Sequence, residues 1–509
     1  MKPLAFGIDF GTTNSIVAVW GEDIRLANRT NGPEALWHES EFGKRPHPSV
    51  VWYGPNADPI VGLEARKQMQ TYDGMGHTFY RSIKRRLGQN EEVELIGGQR
   101  KPAWEVAAEI FRHLKRDAEA HSALSAIHPT LNSCVVTVPV SYNGQQRRDI
   151  RRALERSGIR LECFLSEPFA ALVGNFYDLE TKLQRLSGKR VLVFDWGGGT
   201  LDVCLVEVSE DGTHIYELAH DGIEDRSGDD FDRKIMAYAK KRFLNRSQFH
   251  IEDVPVKGSA ADRFWIKSEL AKIELSTKPS TIVEVPNILS IFDKLFDLHE
   301  TLSREEFEGL IAGEVLAAET CVNRCLERAR LTPGLVDHVL MVGGTSNIPA
   351  ARQMLERLFG AHVSIAYEPD AVIARGAAIV SAENWQPYNV KPIGVMLADD
   401  TFFAILPAGT PLLPSQSRGF TFYCVDPRPA TANFQFVETT VTGDRHYRAL
   451  GDWLAVPTNP DIRDIDNLDR IVTRFSVTED MTLHCVAQSG SVEETRECEI
   501  HDICIGLKL

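Results

Sequence analysis

The sequence lacks a long apolar run and any clustering of its cysteines. No stretch approaches the roughly 18 uninterrupted apolar residues that a membrane-spanning helix needs, and the apolar start is broken at Asp9, within the length that a secretion signal requires. The nine cysteines have no regular spacing and form no CxxC pair, so we interpret them as core residues, with no metal site or disulfide framework. These absences predict a protein of the reducing cytoplasm.

Basic residues are in the minority. The chain has 56 Lys and Arg against 71 Asp and Glu, a formal charge of −15. Binding along a phosphate backbone needs clustered positive charge, so we expect neither nucleic acid nor a membrane as a partner. A GxxxxGK[ST] loop and a GxGxxG turn between a strand and a helix are also absent, which argues against P-loop and Rossmann nucleotide sites.

The composition that remains is that of a soluble globular protein, with 43% hydrophobic and 25% charged residues. A chain of 509 residues exceeds what one hydrophobic core accommodates, so we expect two or more domains. Runs rich in β-branched residues predict buried strands at 4–9, 15–20, 133–138, 190–195, 201–208 and 338–342. Stretches of helical period lie between or after them, at 104–120, 143–157, 229–244, 304–330, 349–358 and 370–383. This interleaving predicts an α/β fold.

The same order of elements occurs twice. A strand, a glycine turn and a second strand are found at 4–20 and again at 190–208, which predicts a duplicated fold. The polar segment 384–392 (NWQPYNVKP) carries two prolines and is typical of an interdomain linker. Beyond it, short alternating segments predict an antiparallel β domain, with strands in 393–409, 418–425, 433–442, 470–476, 482–488 and 493–505.

A first candidate phosphate site is the segment DFGTTN (9–14) between two predicted strands. A hairpin whose tip carries glycine and two threonines offers backbone N–H groups and hydroxyls to a phosphate chain. Asp9, at the end of the strand, can hold the water shell of Mg²⁺. Taken alone, the same segment fits a simple tight turn equally well.

Two further glycine turns make the phosphate interpretation more specific. The segment DWGGGTLD (195–202) occupies the corresponding place in the second half, and three consecutive glycines between strands indicate close approach by a ligand. A third turn, GGT (343–345), follows a strand and precedes the predicted helix 349–358, where a nucleotide can approach a helix start. Together the three turns predict one shared nucleotide site.

At these motifs the sequence resembles the DnaK-type heat shock protein 70 chaperones, within the actin, sugar-kinase and heat-shock ATPase superfamily. IDFGTTNS (8–15) is similar to the family's first phosphate loop, VFDWGGGTLDV (193–203) to its second, and VLMVGGTSNIP (339–349) to its adenosine motif. Further similar blocks follow in the same order: SIKRRLG (82–88), VVTVPVSYNGQQRR (135–148), SEPFAAL (166–172), SGDDFD (227–232), ELAKIELS (269–276) and EPDAVIARGAA (368–378).

The resemblance implies a fold and a division of the chain. The expected fold class is an α/β two-lobed actin-like ATPase domain, a duplicated ribonuclease H-like fold, followed by an all-β sandwich. The ATPase domain would span 1–383, with lobe I at about 1–188 and lobe II at about 189–383. After the linker 384–392, residues 393–509 would form the substrate-binding domain.

The resemblance also implies roles for individual residues. Lys84, Glu167, Thr200 and Asp202 would be catalytic, Asp9 and Asp195 would hold Mg²⁺ through water, and Pro139 and Arg147 would relay the nucleotide state between domains. K⁺ is a further implied ion. The implied contacts to ATP or ADP are Gly11, Thr12, Thr13, Asn14, Gly197, Gly198, Gly199, Thr200, Glu269, Lys272, Ser276, Gly343, Gly344, Thr345, Asn347 and Asp370.

Several of these residues have a plainer interpretation that the sequence leaves open. Lys84 fits an exposed helix lysine, and Arg147 a solvated arginine after a strand-ending proline. The spacing of Glu269, Lys272 and Ser276 puts them on one helix face, which would also suit a solvated polar surface.

The β-rich part is similar to the family's peptide-binding sandwich at 402–422 and 471–488. Such a domain grips an extended apolar peptide through main-chain hydrogen bonds and side-chain pockets, although the same alternation arises in any sandwich core. The implied partners are unfolded or apolar segments of client proteins, with J-domain and nucleotide-exchange co-chaperones as further candidates.

The sequence departs from the family in several places. It ends at Leu509, soon after the β-rich part, so we expect no helical lid and fast peptide exchange. The linker lacks the family's run of leucine and aspartate, and Cys163 stands where a basic residue usually meets J-domain partners. Ile273 and Asn347 replace arginines that embrace the adenine. These departures predict changed interdomain coupling and weaker nucleotide binding.

The predicted function is that of an ATP-dependent chaperone, which couples hydrolysis of ATP to ADP and phosphate with binding of extended apolar polypeptide. The unusual linker and the expected absence of a lid favour an alternative, a nucleotide-switched regulatory protein with one specific partner. A small-molecule kinase of the same superfamily is a third class, and the appended β domain argues against it.

Overall fold

The structure, a computed structural model, describes residues 4–21, 32–40, 43–54, 58–71, 77–95, 98–124, 128–246, 256, 258–291, 294–415, 417–439, 447–451, 453–462 and 468–509. The predicted strand 433–442 extends beyond them, since residues 440–442 lie outside the described ranges. No helix in these ranges is long and apolar enough to cross a membrane.

The α-helices of the described residues are α1 (Leu63–Thr71), α2 (Ala103–Glu119), α3 (Gly144–Arg156), α4 (Glu167–Phe176), α5 (Gly228–Arg246), α6 (Ser259–Leu275), α7 (Arg304–Leu310), α8 (Ala312–Arg328), α9 (Pro349–Phe359) and α10 (Val372–Glu383). The helical period of 104–120, 143–157 and 229–244 is thus confirmed to within two residues at each end. The single predicted helix 304–330 is wrong in one respect, because the chain turns at the buried Ile311 and forms two helices.

The first sixteen strands are β1 (Ala5–Phe10), β2 (Asn14–Trp20), β3 (Glu34–Leu36), β4 (His38–Ser40), β5 (Gly43–Arg45), β6 (His47–Pro48), β7 (Val50–Tyr53), β8 (Ile60–Val61), β9 (Thr78–Arg81), β10 (Glu92–Glu94), β11 (Arg100–Pro102), β12 (Ser133–Val138), β13 (Arg160–Ser166), β14 (Arg190–Trp196), β15 (Leu201–Val208) and β16 (His214–Ile223). The remaining strands are β17 (Ser280–Ile291), β18 (Lys294–Ser303), β19 (His338–Val342), β20 (Val363–Ile365), β21 (Gln386–Asn389), β22 (Ile393–Met396), β23 (Phe402–Leu406), β24 (Arg418–Tyr423), β25 (Thr431–Phe434), β26 (Phe436–Thr439), β27 (Tyr447–Ala449), β28 (Leu454–Pro457), β29 (Arg470–Val477), β30 (Leu483–Ser489), β31 (Thr495–Ile500) and β32 (Ile505–Lys508). The predicted strands 133–138, 201–208 and 338–342 agree with these bounds.

Two mixed sheets share one topology. The first runs β13-β12-β1-β2-β3 and the second runs β20-β19-β14-β15-β16. In each, an antiparallel hairpin (β1 with β2, β14 with β15) is flanked on one side by two parallel strands and on the other by one antiparallel strand. The predicted duplication is therefore confirmed.

The central strands of both sheets are buried on both faces. All residues of β14 except Arg190 are buried, as are five of the six residues of β1. Strands covered by helices on both faces have continuous apolar sequences, whereas half-exposed strands alternate apolar and polar residues. The continuous runs are the reason why these strands could be predicted from the sequence. The glycine turns that follow β1 and β14 begin at the carboxyl ends of these strands, and both turns face the same cleft.

Helices α4 and α10 cross between the two sheets at a contact that only glycine permits. A Cβ atom on Gly376 would overlap the carbonyl oxygen of Ala170, and one on Gly174 would overlap that of Val372. The crossing fixes the two sheets relative to each other because α10 also packs on β1 and β2. The spacing of the two lobes thus depends on these two glycines.

We expect Gly376→Ala to destabilise the protein strongly. Its Cβ would meet backbone, which cannot rotate away, and overpacking of this kind costs about 1–3 kcal/mol or more. Gly313→Ala, at an exposed position of α8 with open space around it, should instead stabilise by up to about 1 kcal/mol. Thermal unfolding of both variants checks this, and equal midpoints would contradict it.

Strands β22 to β31 form a β-sandwich. One sheet has the order β23-β22-β26-β27 and the other β24-β29-β30-β31, with β25 and β28 as a separate pair. Phenylalanines from the two sheets meet between them, with ring centroids 5.5 Å apart for Phe403 and Phe420 and 6.1 Å apart for Phe436 and Phe475. The predicted fold class, an α/β actin-like ATPase domain followed by a β-sandwich, is confirmed.

The last strand leaves the sandwich and joins the second mixed sheet. Strand β32 pairs antiparallel with β16 on one side and with β21 on the other, so that Leu507 lies between Ile215 and Pro387. The predicted linker 384–392 therefore contains a strand, β21, that reaches the sheet only through β32. The alternating stretch 493–505 is divided, because the chain turns away after β31.

Ion pairs hold the sandwich against helix α3. Asp480 is buried and accepts from Arg148 Nε at 3.2 Å and from Arg151 Nε at 2.8 Å. Arg148 also pairs with Glu499, and Arg147 donates to the carbonyl oxygen of Met481 at 3.3 Å. The sandwich is thus docked on the helix that follows β12.

Candidate functional site

Three glycine turns meet at one open cleft between the two mixed sheets. They follow β1, β14 and β19, strands that run parallel within their sheets. Of the residues predicted from the sequence, those lining the cleft are Asp9, Gly11, Thr12, Thr13, Asn14, Lys84, Glu167, Asp195, Gly197, Gly198, Gly199, Thr200, Gly343, Gly344 and Asp370.

The first two turns touch tip to tip. A Cβ atom on Gly198 would overlap the hydroxyl of Thr13, and one on Gly199 would overlap the hydroxyl of Thr12. Glycine is therefore needed here because any side chain would push the turns apart and cover the backbone N–H groups. The two turns together present unobstructed backbone and two hydroxyls, which is what a phosphate chain requires.

A buried ion pair lies beside these turns. Lys84 Nζ is 2.8 Å from Glu167 Oε1, and the two residues are only 5% and 6% exposed. Lys84 sits in the short 3₁₀ turn Ile83–Arg86, and Glu167 is the first residue of α4. The interpretation of Lys84 as an exposed helix lysine is therefore wrong.

The charge of Lys84 is held by its partner. Burial alone would lower the pKa of the Lys84 ammonium, but the carboxylate of Glu167 outweighs it and raises that pKa above its usual value. The Tyr142 hydroxyl donates to the Lys84 carbonyl oxygen at 3.3 Å, and the Lys84 ammonium lies 5.5 Å from the Tyr142 ring. The cleft thus contains a fixed cation at neutral pH.

Three buried aspartates lie close to Glu167. Burial, reinforced by the charge of Glu167, raises the pKa of Asp9 to about 7 and that of Asp202 to about 7. The same causes raise the pKa of Asp195 well above its usual value. Four carboxyl groups against one lysine favour a bound cation, and oxygen donors of this kind suit Mg²⁺.

These raised pKa values predict how pH affects the nucleotide-free protein. Between pH 3.8 and about 7 the folded state keeps a proton on Asp9 that the unfolded state releases, so this stabilisation is lost as pH rises to 7. Asp9→Asn cannot titrate, and its thermal midpoint should fall less than that of wild type between pH 5 and pH 8. The expected difference is about 1–3 kcal/mol in unfolding free energy. Equal falls in chelator-treated samples would contradict the assignment.

Three of the predicted adenosine contacts, Glu269, Lys272 and Ser276, do not line the cleft. Lys272 Nζ donates to the Gly228 carbonyl oxygen at 2.9 Å and pairs with Asp232 at 2.8 Å, while Glu269 pairs with Arg66. Because Glu269 is 6% exposed, the solvated-face interpretation of this helix is wrong for it. The Ser276 hydroxyl bonds its own helix, to the Lys272 carbonyl oxygen at 3.4 Å.

Other predicted residues of the third turn hold the turns together. The Thr345 hydroxyl donates to the Gly197 carbonyl oxygen at 2.8 Å, which joins the turn after β19 to the turn after β14. The Asn347 amide donates to the Gly344 carbonyl oxygen at 3.1 Å, within its own turn. Asp202 lies fully buried behind Thr200 in β15.

Neither predicted relay residue lines the cleft, and Arg147 contacts the docked sandwich at Met481. Pro139 directly follows β12 and accepts from the Tyr142 backbone N–H at 3.2 Å. Arg147 is 4% exposed, so the solvated interpretation is wrong, and burial lowers the pKa of its guanidinium to about 10. Tyr142 connects this segment to Lys84.

The sequence analysis missed a set of contacts that close the cleft. Arg85 NH2 donates to the Gly199 carbonyl oxygen at 3.0 Å and lies 3.3 Å from Asp230. Asp229 accepts from the Ser82 hydroxyl at 2.6 Å and from the Thr13 hydroxyl at 3.3 Å. Ser82, Arg85, Asp229 and Asp230 lie within the similar blocks SIKRRLG and SGDDFD. Their position in these blocks was the one feature of the sequence that could have indicated a role at the cleft.

The two-lobed fold, the opposed glycine turns and the acidic cleft with one buried lysine define an actin-like nucleotide domain, here followed by a β-sandwich. A family model described as Hsp70 protein matches residues 5–101 and 91–405. The chain belongs to the Hsp70 family, a class of ATP-binding chaperones that includes the DnaK proteins.

Individual relatives agree with this assignment. A chaperone protein dnaK of Emiliania huxleyi is 32% identical over 396 residues, which is 73% of this chain and 59% of the relative. Chaperone proteins DnaK of Thermosipho africanus and Thermotoga neapolitana are each 30% identical over 82% of this chain and 68% of their own length. The chain thus spans about three fifths to two thirds of the length of these relatives.

Proposed function

We propose that this protein binds ATP with Mg²⁺ in the cleft and hydrolyses it slowly to ADP and phosphate. The observation that carries the proposal is the buried pair of Lys84 and Glu167 beside two opposed glycine-threonine turns. A bound Mg²⁺ would neutralise phosphate charge. Because phosphoryl transfer relies on positioning and electrostatics, a site without a covalent nucleophile is sufficient.

Each group of the cleft has a task in this proposal. The backbone of Gly198 and Gly199 and the hydroxyls of Thr12 and Thr13 hold the phosphates. Asp9 and Asp195 hold the hydrated cation, and Thr200 lies within reach of the terminal phosphate. Lys84 directs its ammonium at the attacking water and the terminal phosphate.

Two further residues act through their neighbours. Glu167 is a positioning residue that fixes Lys84, because it accepts from the lysine ammonium at 2.8 Å. Asp202 is buried behind the turn and stabilises positive charge in the cleft. The helix face of Glu269, Lys272 and Ser276, with the turn 343–347 and Asp370, receives the adenosine. K⁺ is a candidate second ion.

The β-sandwich is the proposed site for extended apolar segments of client proteins. Its exposed apolar side chains support this: Tyr423 is 58% exposed, Val425 62% and Trp453 60%. We place the boundary between the domains in 384–392, with lobes divided near residue 188. Co-chaperones of the J-domain and exchange types, and a cytoplasmic location, belong to the same proposal.

Coupling between the sites would pass through α3. Pro139 and Arg147 stand between the Lys84 segment, reached through Tyr142, and the sandwich, reached through Met481. A change at Lys84 on hydrolysis can therefore alter how the sandwich docks, and the docked state is held by Asp480. Release of the sandwich from α3 is the proposed switch.

A second candidate function rests on strand β32. Because β32 ties the end of the sandwich to the sheet of β16, the two domains are joined at two places, and large movements between them are restricted. A protein restrained in this way could act as a nucleotide-dependent switch that binds one specific partner protein.

Peptide binding in two nucleotide states separates the two functions. A fluorescent apolar peptide should bind several-fold more weakly in the presence of ATP than of ADP, and Trp453→Ala should weaken binding in both states. Tight nucleotide binding with no peptide binding in either state would remove the chaperone proposal and leave the partner-specific switch. Release of inorganic phosphate without a phosphorylated product excludes the kinase.

A further inference from the structure

Three histidines and an aspartate converge on the outer side of the first sheet. They come from three separate segments: His38 begins β4, His47 begins β6, and His113 and Asp117 are one turn apart on α2. The ligand atoms of His38, His47 and Asp117 all lie within 4.8 Å of one another. Such a meeting of side chains distant in sequence is the usual composition of a transition-metal site.

The distances suit a tetrahedral ion. His47 Nδ1 lies 3.6 Å from Asp117 Oδ2. Zinc bonds of about 2.1 Å place neighbouring ligand atoms about 3.4 Å apart in a tetrahedron, so this edge is nearly formed. The ligand atom of His38 lies within 4.8 Å of those of His47 and Asp117. A small rotation of the half-buried His38 side chain would bring it to bonding geometry.

His113 is not one of the proposed ligands, and its contacts with Arg116 and Asp117 indicate a supporting role. Arg116 donates to His113 Nδ1 at 3.0 Å, so the ring proton of the neutral imidazole is on Nε2. That Nε2 atom is buried and lies 3.4 Å from the same Asp117 Oδ2 that faces His47. His113 Nε2 has no hydrogen-bond partner among the described residues, so a small movement of Asp117 towards an ion would let this N–H donate to the carboxylate and support the metal ligand.

Burying these polar side chains without a bound ion costs free energy of folding. His47 is 5% exposed, and its ring lies 5.5 Å from that of His38 and 5.4 Å from that of His113. Asp117, at 27% exposure, keeps the site open to ions and water.

We propose that His38, His47 and Asp117 bind one Zn²⁺ ion, with water at the fourth position and His113 as the positioning residue of Asp117. Two imidazoles and one carboxylate favour zinc and its neighbours over Mg²⁺ and Ca²⁺, which prefer oxygen donors. The site is next to the nucleotide cleft. His47 pairs with Ser15 in the register of β6 and β2, and the preceding residue, Pro46, lines the cleft.

Calorimetry on the chelator-treated full chain tests the site. We expect one equivalent of Zn²⁺ to bind, and Co²⁺ as a probe to give the intense visible absorption of a tetrahedral complex. His38→Gln and His47→Gln should each weaken Zn²⁺ binding more than about 100-fold, and His113→Gln about 10-fold to 100-fold. The control His299→Gln, an exposed histidine of β18, should bind as wild type does.

Two results would overturn the proposal. Zn²⁺ binding that survives in both His38→Gln and His47→Gln would assign the ion to another site, such as the acidic cleft or the cysteines. No binding by wild type would make the cluster a packing feature only. His38 is only half-buried, so its variant should keep the wild-type thermal midpoint without metal, which separates loss of the ligand from loss of the fold.

Discussion

Lys84→Ala should slow single-turnover ATP hydrolysis by about 100-fold to 1,000-fold and leave ATP bound. The ammonium is the fixed cation of the cleft, and removing one preorganised group that stabilises a transition state typically costs this much, about 2.7–4 kcal/mol. Nucleotide affinity should change little, because the glycine turns and the adenosine contacts do most of the binding. The measurement is the rate of phosphate release after mixing limiting ATP with excess protein.

Two controls separate chemistry from folding. Lys241→Ala, an exposed lysine of α5, should hydrolyse ATP at the wild-type rate. Glu167→Gln keeps the shape of the partner and removes its charge, and it should also slow hydrolysis, since Lys84 is then no longer held. A Lys84→Ala variant that binds ATP and hydrolyses it at the wild-type rate would refute the assigned role.

Asp480→Asn should release the sandwich from helix α3 and uncouple the two domains. Asp480 is 3% exposed and receives both Arg148 and Arg151, so the variant leaves two arginines without their common counter-charge. Loss of one partner of a buried pair costs about 3–5 kcal/mol, and less here because the arginines are one-fifth exposed. Limited proteolysis near the linker should become faster, and peptide should lose its effect on hydrolysis.

The matched control is Asp400→Asn. Asp400 is an exposed residue of the same sandwich with a left-handed backbone conformation, which asparagine adopts readily. It should leave proteolysis and hydrolysis unchanged. If Asp480→Asn also behaves as wild type does, docking depends on β32 and not on the ion pairs. Coupling through α3 would then be wrong.

Local sequence signals predicted much of the fold. The central strands β1 and β14 read as continuous apolar runs because both faces are covered, and the glycine turns after them stood out at once. The similar blocks also drew attention to Lys84 and Glu167, which form a buried ion pair on the lining of the cleft. These features are local, so they remain visible in one sequence.

Features that depend on distant contacts could not be predicted. The burial of Lys84 and Arg147 follows from how other segments fold over them, and the sequence alone allowed an exposed side chain in each case. The departure of β32 into the second sheet depends on its pairing with β16 and β21, more than 110 residues away in both cases. The histidine cluster likewise forms only when β6 packs on α2.

The central claim is that ATP hydrolysis in the cleft is coupled to peptide binding by the sandwich. Single-turnover hydrolysis with and without an unfolded apolar peptide tests it most directly. We expect slow hydrolysis that needs Lys84 and rises several-fold with peptide. Hydrolysis that peptide leaves unchanged would contradict the coupling and favour a partner-specific switch, and no hydrolysis at all would leave nucleotide binding alone.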